Sequence, residues 1–119
     1  MSEAYELARL DATAQAELIK RKEIKPLELV DAAIERVESL NPKVNAVVTT
    51  MYEQAMSAAV HKLPNGFFRG VPFLLKDLVA YFAGGRMQEG SAFLHDFIPD
   101  HDSELVKRLK RAGLIIIGK

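Results

Sequence analysis

The chain has no cysteine among its 119 residues. That one absence removes disulfides, thiolate metal sites and a cysteine nucleophile together, and it fits a reducing compartment such as the cytoplasm. Net charge is missing too, because sixteen lysines and arginines balance sixteen aspartates and glutamates. No global field therefore draws the chain to nucleic acid or to an anionic membrane, and a small molecule or another protein is the expected partner. No stretch approaches the roughly eighteen apolar residues of a membrane span. The opening "MSEAYELARLDAT" is acidic and amphipathic, whereas a secretion signal is basic and then apolar. The expectation is a soluble, cytoplasmic protein.

What is present is an ordinary globular composition, 49% apolar and 27% charged, far from the signature of disorder. The length suits one domain able to bury about two-thirds of its unfolded surface.

Asp11 is placed to cap a helix through "ATAQAELIKRK", with Ala14, Leu18 and Ile19 on one face. A second helix opens at Pro26 and carries Leu27, Val30, Ile34, Val37 and Leu40 at helical spacing; Asn41-Pro42 is expected to stop it. "KVNAVVTT" reads as a strand, and Thr50 to Glu53 as a capping box for a helix reaching about His61. "VPFLL" is an apolar run of the kind found in strands covered on both faces. From Lys76 to His101 no periodicity is sustained, and a connection that long is usually functional. Asp102 can cap a helix with Leu105, Val106, Leu109 and Ala112 inward, Gly113 ends it, and "LIII" at Leu114 to Ile117 is a buried strand. Strands separated by helices imply an α/β architecture with a mostly parallel sheet. No helix follows the last strand to cover it, so the apolar strand is expected to leave an exposed face that favours self-association.

Four stretches could carry chemistry. "GLIIIGK" has the spacing of a phosphate-binding loop, but such a loop follows a strand and opens a helix, while here the intervening residues are themselves the strand. His95-Asp96 and His101-Asp102 could in principle hold a metal; solvated loop residues and a helix cap explain them better, so no metal is expected. "AGGRMQEGS" is glycine-rich, and Gly90 and Ser91 could line a site, although Ser91 has no partner that would make it a nucleophile. Lys76, in "GVPFLLKD", stands at the C-terminal end of an apolar strand, where α/β sheets bind ligands. It is either a base whose ammonium is discouraged by desolvation or a strand-end residue paired with Asp77.

Read together, "DATAQAELIKRKEIKPLELVDAAIERVESLNPKVNAVVT", "GVPFLLKD", Gly90-Ser91 and "DSELVKRLKRAGLIIIGK" resemble the amidase signature family of amide hydrolases, in that family's order and approximate spacing. The resemblance spans nearly the whole chain, and it departs at Lys25, where members often carry a Ser or Thr cap. It implies the N-terminal part of a single amidase domain over 1–119. That part would be an incomplete α/β fold, a mixed and mostly parallel sheet flanked by helices, with no second domain. It also implies a Ser-cisSer-Lys mechanism acting on a small amide, with no cofactor, in which Lys76 is the base. "AGGRMQEGSAFL" is more similar to hydrolases of small linear or cyclic amides than to the A subunit of tRNA-dependent amidotransferases. The family's paired serines lie in a glycine- and serine-rich segment beyond "GK". Ser2, Ser39, Ser57, Ser91 and Ser103 fall outside any such segment, so the chain alone is expected to be inert.

Overall fold

The computed structural model describes residues 3–119, so Ser2 lies outside the described residues. A short first helix, α1 (Glu3–Ala8), precedes the elements expected from periodicity. Asp11 then accepts the Ala14 N–H at 2.8 Å and opens α2 (Ala12–Lys20). Its buried Ile19 joins Ile24 and Leu29 in a small core against Leu7 and Leu18.

Helix α3 (Pro26–Val44) starts at Pro26, with the Glu28 carboxylate accepting the Lys25 N–H at 2.6 Å, but it does not stop at Asn41-Pro42. Pro42 falls in the last turn, where its missing N–H removes a single helical bond, and the helix runs on to Asn45 in the left-handed region at φ 47°. This extension undoes the expected strand over "KVNAVVTT". Lys43 and Val44 belong to the helix, and the Asn41 side chain takes both the N–H and the C=O of Val47 at 2.9 Å. What remains of the strand is one antiparallel bridge, Thr50 to Gly118. The expected capping box does not form either. Helix α4 (Tyr52–Val60) is preceded by Met51, which has no side-chain cap bond and is instead buried in the core. At the other end His61 Nδ1 meets the Ser57 carbonyl at 2.6 Å.

Strands β1 (Pro72–Leu74) and β2 (Ile115–Gly118) pair in parallel, connected through a long loop and helix α5 (Glu104–Arg111). The register sets Phe73 beside Ile116 and Leu74 beside Gly118. Strand β2 is covered on both faces, contrary to the expected bare surface. Ile115 and Ile117 pack with Val30, Ala55, Ala59 and Leu63, while Ile116 packs with Met51, Leu75, Ala80 and Val106. The long loop supplies part of that second cover through Ala80 and Phe82. Strand β1 is the open one: Phe73 is 37% and Leu74 44% exposed, so the expectation of a strand buried on both faces holds for β2 and fails for β1.

The cap of α5 is also shifted by one residue. Ser103 Oγ accepts the Val106 N–H, Leu105 faces solvent, and Asp102 is released to bind the loop. Gly113 ends the helix at φ +91°, pressed against Arg69 so closely that an added Cβ would overlap its backbone. No helix among the described residues is long and apolar enough to cross a membrane.

Candidate active site

A parallel pair has one carboxyl end, and the chain delivers two lysines to it. Lys76 lies two residues past β1 and Lys119 immediately follows β2. The Gly118 carbonyl accepts the Leu75 N–H at 3.0 Å, which ties the residues preceding each lysine to one another.

Their environments differ. The Lys76 side chain is exposed, and among the described residues it makes no ion pair. An apolar strand of this length does not desolvate it, because the neighbouring Phe73 and Leu74 themselves face water. Lys119 is 3% exposed, and its Nζ is buried without a hydrogen-bond partner. Burial holds this amine below the usual lysine range, and the Asp77 carboxylate pulls it part of the way back.

Asp77 also organises the loop. Both of its carboxylate oxygens accept the Gln88 N–H, each at 3.2 Å. Gln88 in turn accepts the Ser91 N–H through its carbonyl at 2.9 Å. The segment holding Gly90 and Ser91 is thus joined to the Lys76-Asp77 pair through Gln88, with no direct bond to Lys76. Gly90 sits at φ +72° with open space where a Cβ would be. Ser91 Oγ is used locally: it accepts the Phe93 N–H at 3.2 Å and caps a 3-10 helix, Ala92–Leu94. Val79 and Glu89 both adopt positive φ, 51° and 52°, and the Glu89 carboxylate accepts the Val79 N–H at 3.4 Å. For a β-branched valine that conformation is strained, and strain of this kind collects where a turn must hold a shape.

The histidines are spent on neighbours. His95 meets Asp96 at 2.9 Å, and His101 meets Asp100 at 2.8 Å, not Asp102. No group of three His, Cys, Asp or Glu able to hold a metal occurs among the described residues. The residue that sequence reasoning missed is Lys119. Its signal was there, since the strand-end rule that singled out Lys76 applies equally to the lysine after "LIIIG".

Helices flank this parallel pair, and its carboxyl end gathers Lys76, Asp77 and Lys119; that is an α/β fold with its polar residues where such sheets take ligands. The family model described as Amidase matches residues 28–119, and the chain belongs to that family. A 6-aminohexanoate-cyclic-dimer hydrolase from Pseudomonas sp. (strain NK87) is 39% identical over 111 residues, which cover 92% of this chain and 22% of that protein. A solved structure of 6-aminohexanoate cyclic dimer hydrolase with its substrate superposes with a TM-score of 0.87 at 36% identity, over 99% of this chain and 24% of that one. The native peptide amidase of Stenotrophomonas maltophilia gives 0.85 at 29% identity, over 94% and 24%. The chain therefore spans under a quarter of the length of these relatives.

Proposed function

We propose that this chain is the lysine-bearing part of an amide hydrolase of the Ser-cisSer-Lys type, acting on small linear or cyclic amides. The observation that carries the reading is the family match over 28–119, which includes Lys76 within "GVPFLLKD" at the carboxyl end of β1. In this reading neutral Lys76 takes a proton from a serine held by a cis peptide bond, as that serine takes one from the nucleophilic serine. The freed oxygen bonds to the amide carbon, the C–N bond breaks, and the leaving nitrogen departs with the proton. Water then opens the acyl-ester, returning the serine hydroxyl and releasing the acid. A non-proline cis bond costs about 3 kcal/mol, which a rigid site can hold. Both serines, and the walls that would take Lys76 out of water, come from sequence outside these 119 residues. The small-amide class is supported by the relative at 39% identity, a hydrolase of the 6-aminohexanoate cyclic dimer.

The test uses the longest polypeptide that the reading frame encodes, assayed for ammonia or amine release from small amides, 6-aminohexanoate cyclic dimer among them. Hydrolysis that Lys76→Ala abolishes is expected, and the 119-residue chain alone should release nothing. Hydrolysis that survives Lys76→Ala overturns the reading. A second reading, a non-catalytic α/β piece serving as an interaction module, is favoured by the open apolar side of β1. A frame that stops at codon 119 would select it.

A further inference from the structure

Phe67 is 94% exposed, and the turn that carries it is pinned at several points. The Phe68 N–H donates to the Ala112 carbonyl at 2.9 Å, the Gly70 N–H to the Gly113 carbonyl at 2.9 Å, and the Arg69 N–H to the Gly66 carbonyl at 3.3 Å. Gly66 lies so close to Ala112 that an added Cβ would overlap its backbone. The turn therefore holds the ring out in water. Between it and the end of α2 lies a cavity of 680 Å³ whose walls include Lys20, Lys22, Phe67 and Arg69. Lys22 is fixed as well, at φ 60°, with its N–H on the Ile19 carbonyl at 2.9 Å and the Glu23 N–H on the Leu18 carbonyl at 3.0 Å. The acidic residue of the lining, Glu17, is taken by Arg21 at 3.0 Å. Lys20, Lys22 and Arg69 make no ion pair among the described residues. The α2 macrodipole accounts for Lys20 and Lys22 at its C-terminal end. It accounts neither for Arg69, which comes from the other wall, nor for Phe67.

We propose that this cavity is the docking surface for an acidic segment of a partner protein, whose carboxylates enter among Lys20, Lys22 and Arg69 while an apolar side chain beside them packs on Phe67. Charge complementarity selects the occupant. In a chain with no net charge, three uncompensated cations on two facing elements make a local field that anionic groups satisfy. Phe67 selects the size of the partner: at 94% exposure it projects beyond the cavity, and a small molecule filling that space would leave the ring bare. An aromatic ring beside an arginine is the composition that carries interface energy, and a pinned turn has little freedom left to lose on binding. A nucleic acid fits less well, because a phosphate backbone calls for a run of cations and these are gathered around one cavity. Arg69 precedes β1, so the surface lies at the amino end of the parallel pair, opposite Lys76, and it stands independently of the amide-hydrolase reading.

The test uses the longest polypeptide of the frame with a fluorescein-labelled peptide of glutamates interspersed with leucines, and a second peptide in which glutamine replaces every glutamate. Anisotropy should show saturable binding of the first peptide. Affinity should fall at least about tenfold for the glutamine peptide and for Lys20→Ser combined with Lys22→Ser. It should fall at least about fivefold in Phe67→Ser. Lys20, Lys22 and Phe67 are all exposed, so these variants should keep the parent's thermal midpoint. Carbodiimide, which joins a carboxylate to a lysine amine, should couple the first peptide to Lys20 or Lys22 and leave the equally exposed Lys43 and Lys107 free. Binding that does not saturate, equal binding of the glutamine peptide, full affinity in Phe67→Ser or coupling at Lys43 or Lys107 would each overturn the assignment. Two other occupants would overturn it as well: an oligouridine that binds at least as tightly as the peptide, or a second copy of the chain that couples to Lys20 or Lys22 when no peptide is present.

Discussion

Asp102 and Lys110 lock the long loop onto helix α5: the carboxylate accepts Lys110 Nζ at 2.7 Å and the Ala83 N–H at 2.8 Å. The same ammonium lies 4.0 Å from the centre of the Phe82 ring, so one lysine holds the loop by charge and by an aromatic face. Burial alone would raise the Asp102 carboxyl. The Lys110 hydrogen bond, the Ala83 N–H and the Lys110 and Lys107 charges outweigh it and hold the group below its ordinary value. A depressed folded-state value means that the stabilisation is fully present above the unfolded-state value of about 3.9 and is lost as pH falls through the folded one. Asp102→Asn should therefore cost about 1.5–3 kcal/mol near neutral pH, the range for hydrogen bonds to charged groups. It should also flatten the fall of the thermal midpoint below about pH 4. Thermal unfolding from pH 3 to 7 checks both, and an equally steep acid limb in the variant would show that Asp102 is not its source.

Gly113 is required for two separate reasons, its φ of +91° and the approach of the Arg69 backbone. The conformation alone costs a side chain about 1–3 kcal/mol. The overlap adds to that, because Gly113 also accepts the Gly70 N–H at 2.9 Å just before β1 and cannot simply move away. Gly113→Ala is expected to lower the thermal midpoint more than any exposed substitution on α5. A neutral result would mean that the turn after α5 can re-form around a methyl group.

Lys76→Ala should separate stability from turnover. Lys76 is exposed in this chain, so Lys76→Ala should leave stability within about 0.5 kcal/mol while abolishing amide hydrolysis in the longest polypeptide of the frame. Paired measurements of urea unfolding and turnover decide it. A large stability loss would mean that Lys76 supports the fold and is no free base.

The α/β class, α2 and β2 were legible because each rests on a local pattern, Asp11 as a cap and an unbroken apolar run, whereas α4 was placed correctly from a capping box that does not form. The errors share one cause. Where two local signals compete, tertiary contacts choose between them, and spacing does not contain those contacts. Asn41-Pro42 reads as a stop, yet the Asn41 side chain bonds to Val47 and the helix continues past it. Asp102 reads as the cap of α5, yet the loop claims its carboxylate and the neighbouring Ser103 caps the helix. Coverage of "LIII" was misjudged because its second cover, Ala80 and Phe82, comes from a loop with no periodicity to announce it. At the site, Lys76 was legible from its place after an apolar strand. Lys119 falls under the same rule after "LIIIG", and the parallel pairing of β1 with β2 brings it to the same end.

Self-association is still expected of the 119-residue chain, but through β1 in place of β2. Strand β1 is bonded to β2 on one side and to no described strand on the other, and Phe73 and Leu74 remain 37% and 44% exposed. Beside them lies a groove of 420 Å³ lined by Leu7, Leu29, Leu40, Val47, Phe73 and Leu74. A free strand edge next to a mostly apolar groove is a template for pairing. Completing the burial of two such side chains gains about 1 kcal/mol each, and the groove adds more as its lining leaves water. That gain acts without any ion pair to oppose it, since Phe73 and Leu74 carry no charge. Light scattering should show mass rising with concentration, and Phe73→Lys with Leu74→Lys should restore a monomer by placing charges on the edge. A parent that stays monomeric at every concentration, with a cooperative thermal transition, would mean that the groove closes on itself and the free edge of β1 is too short to recruit a second copy.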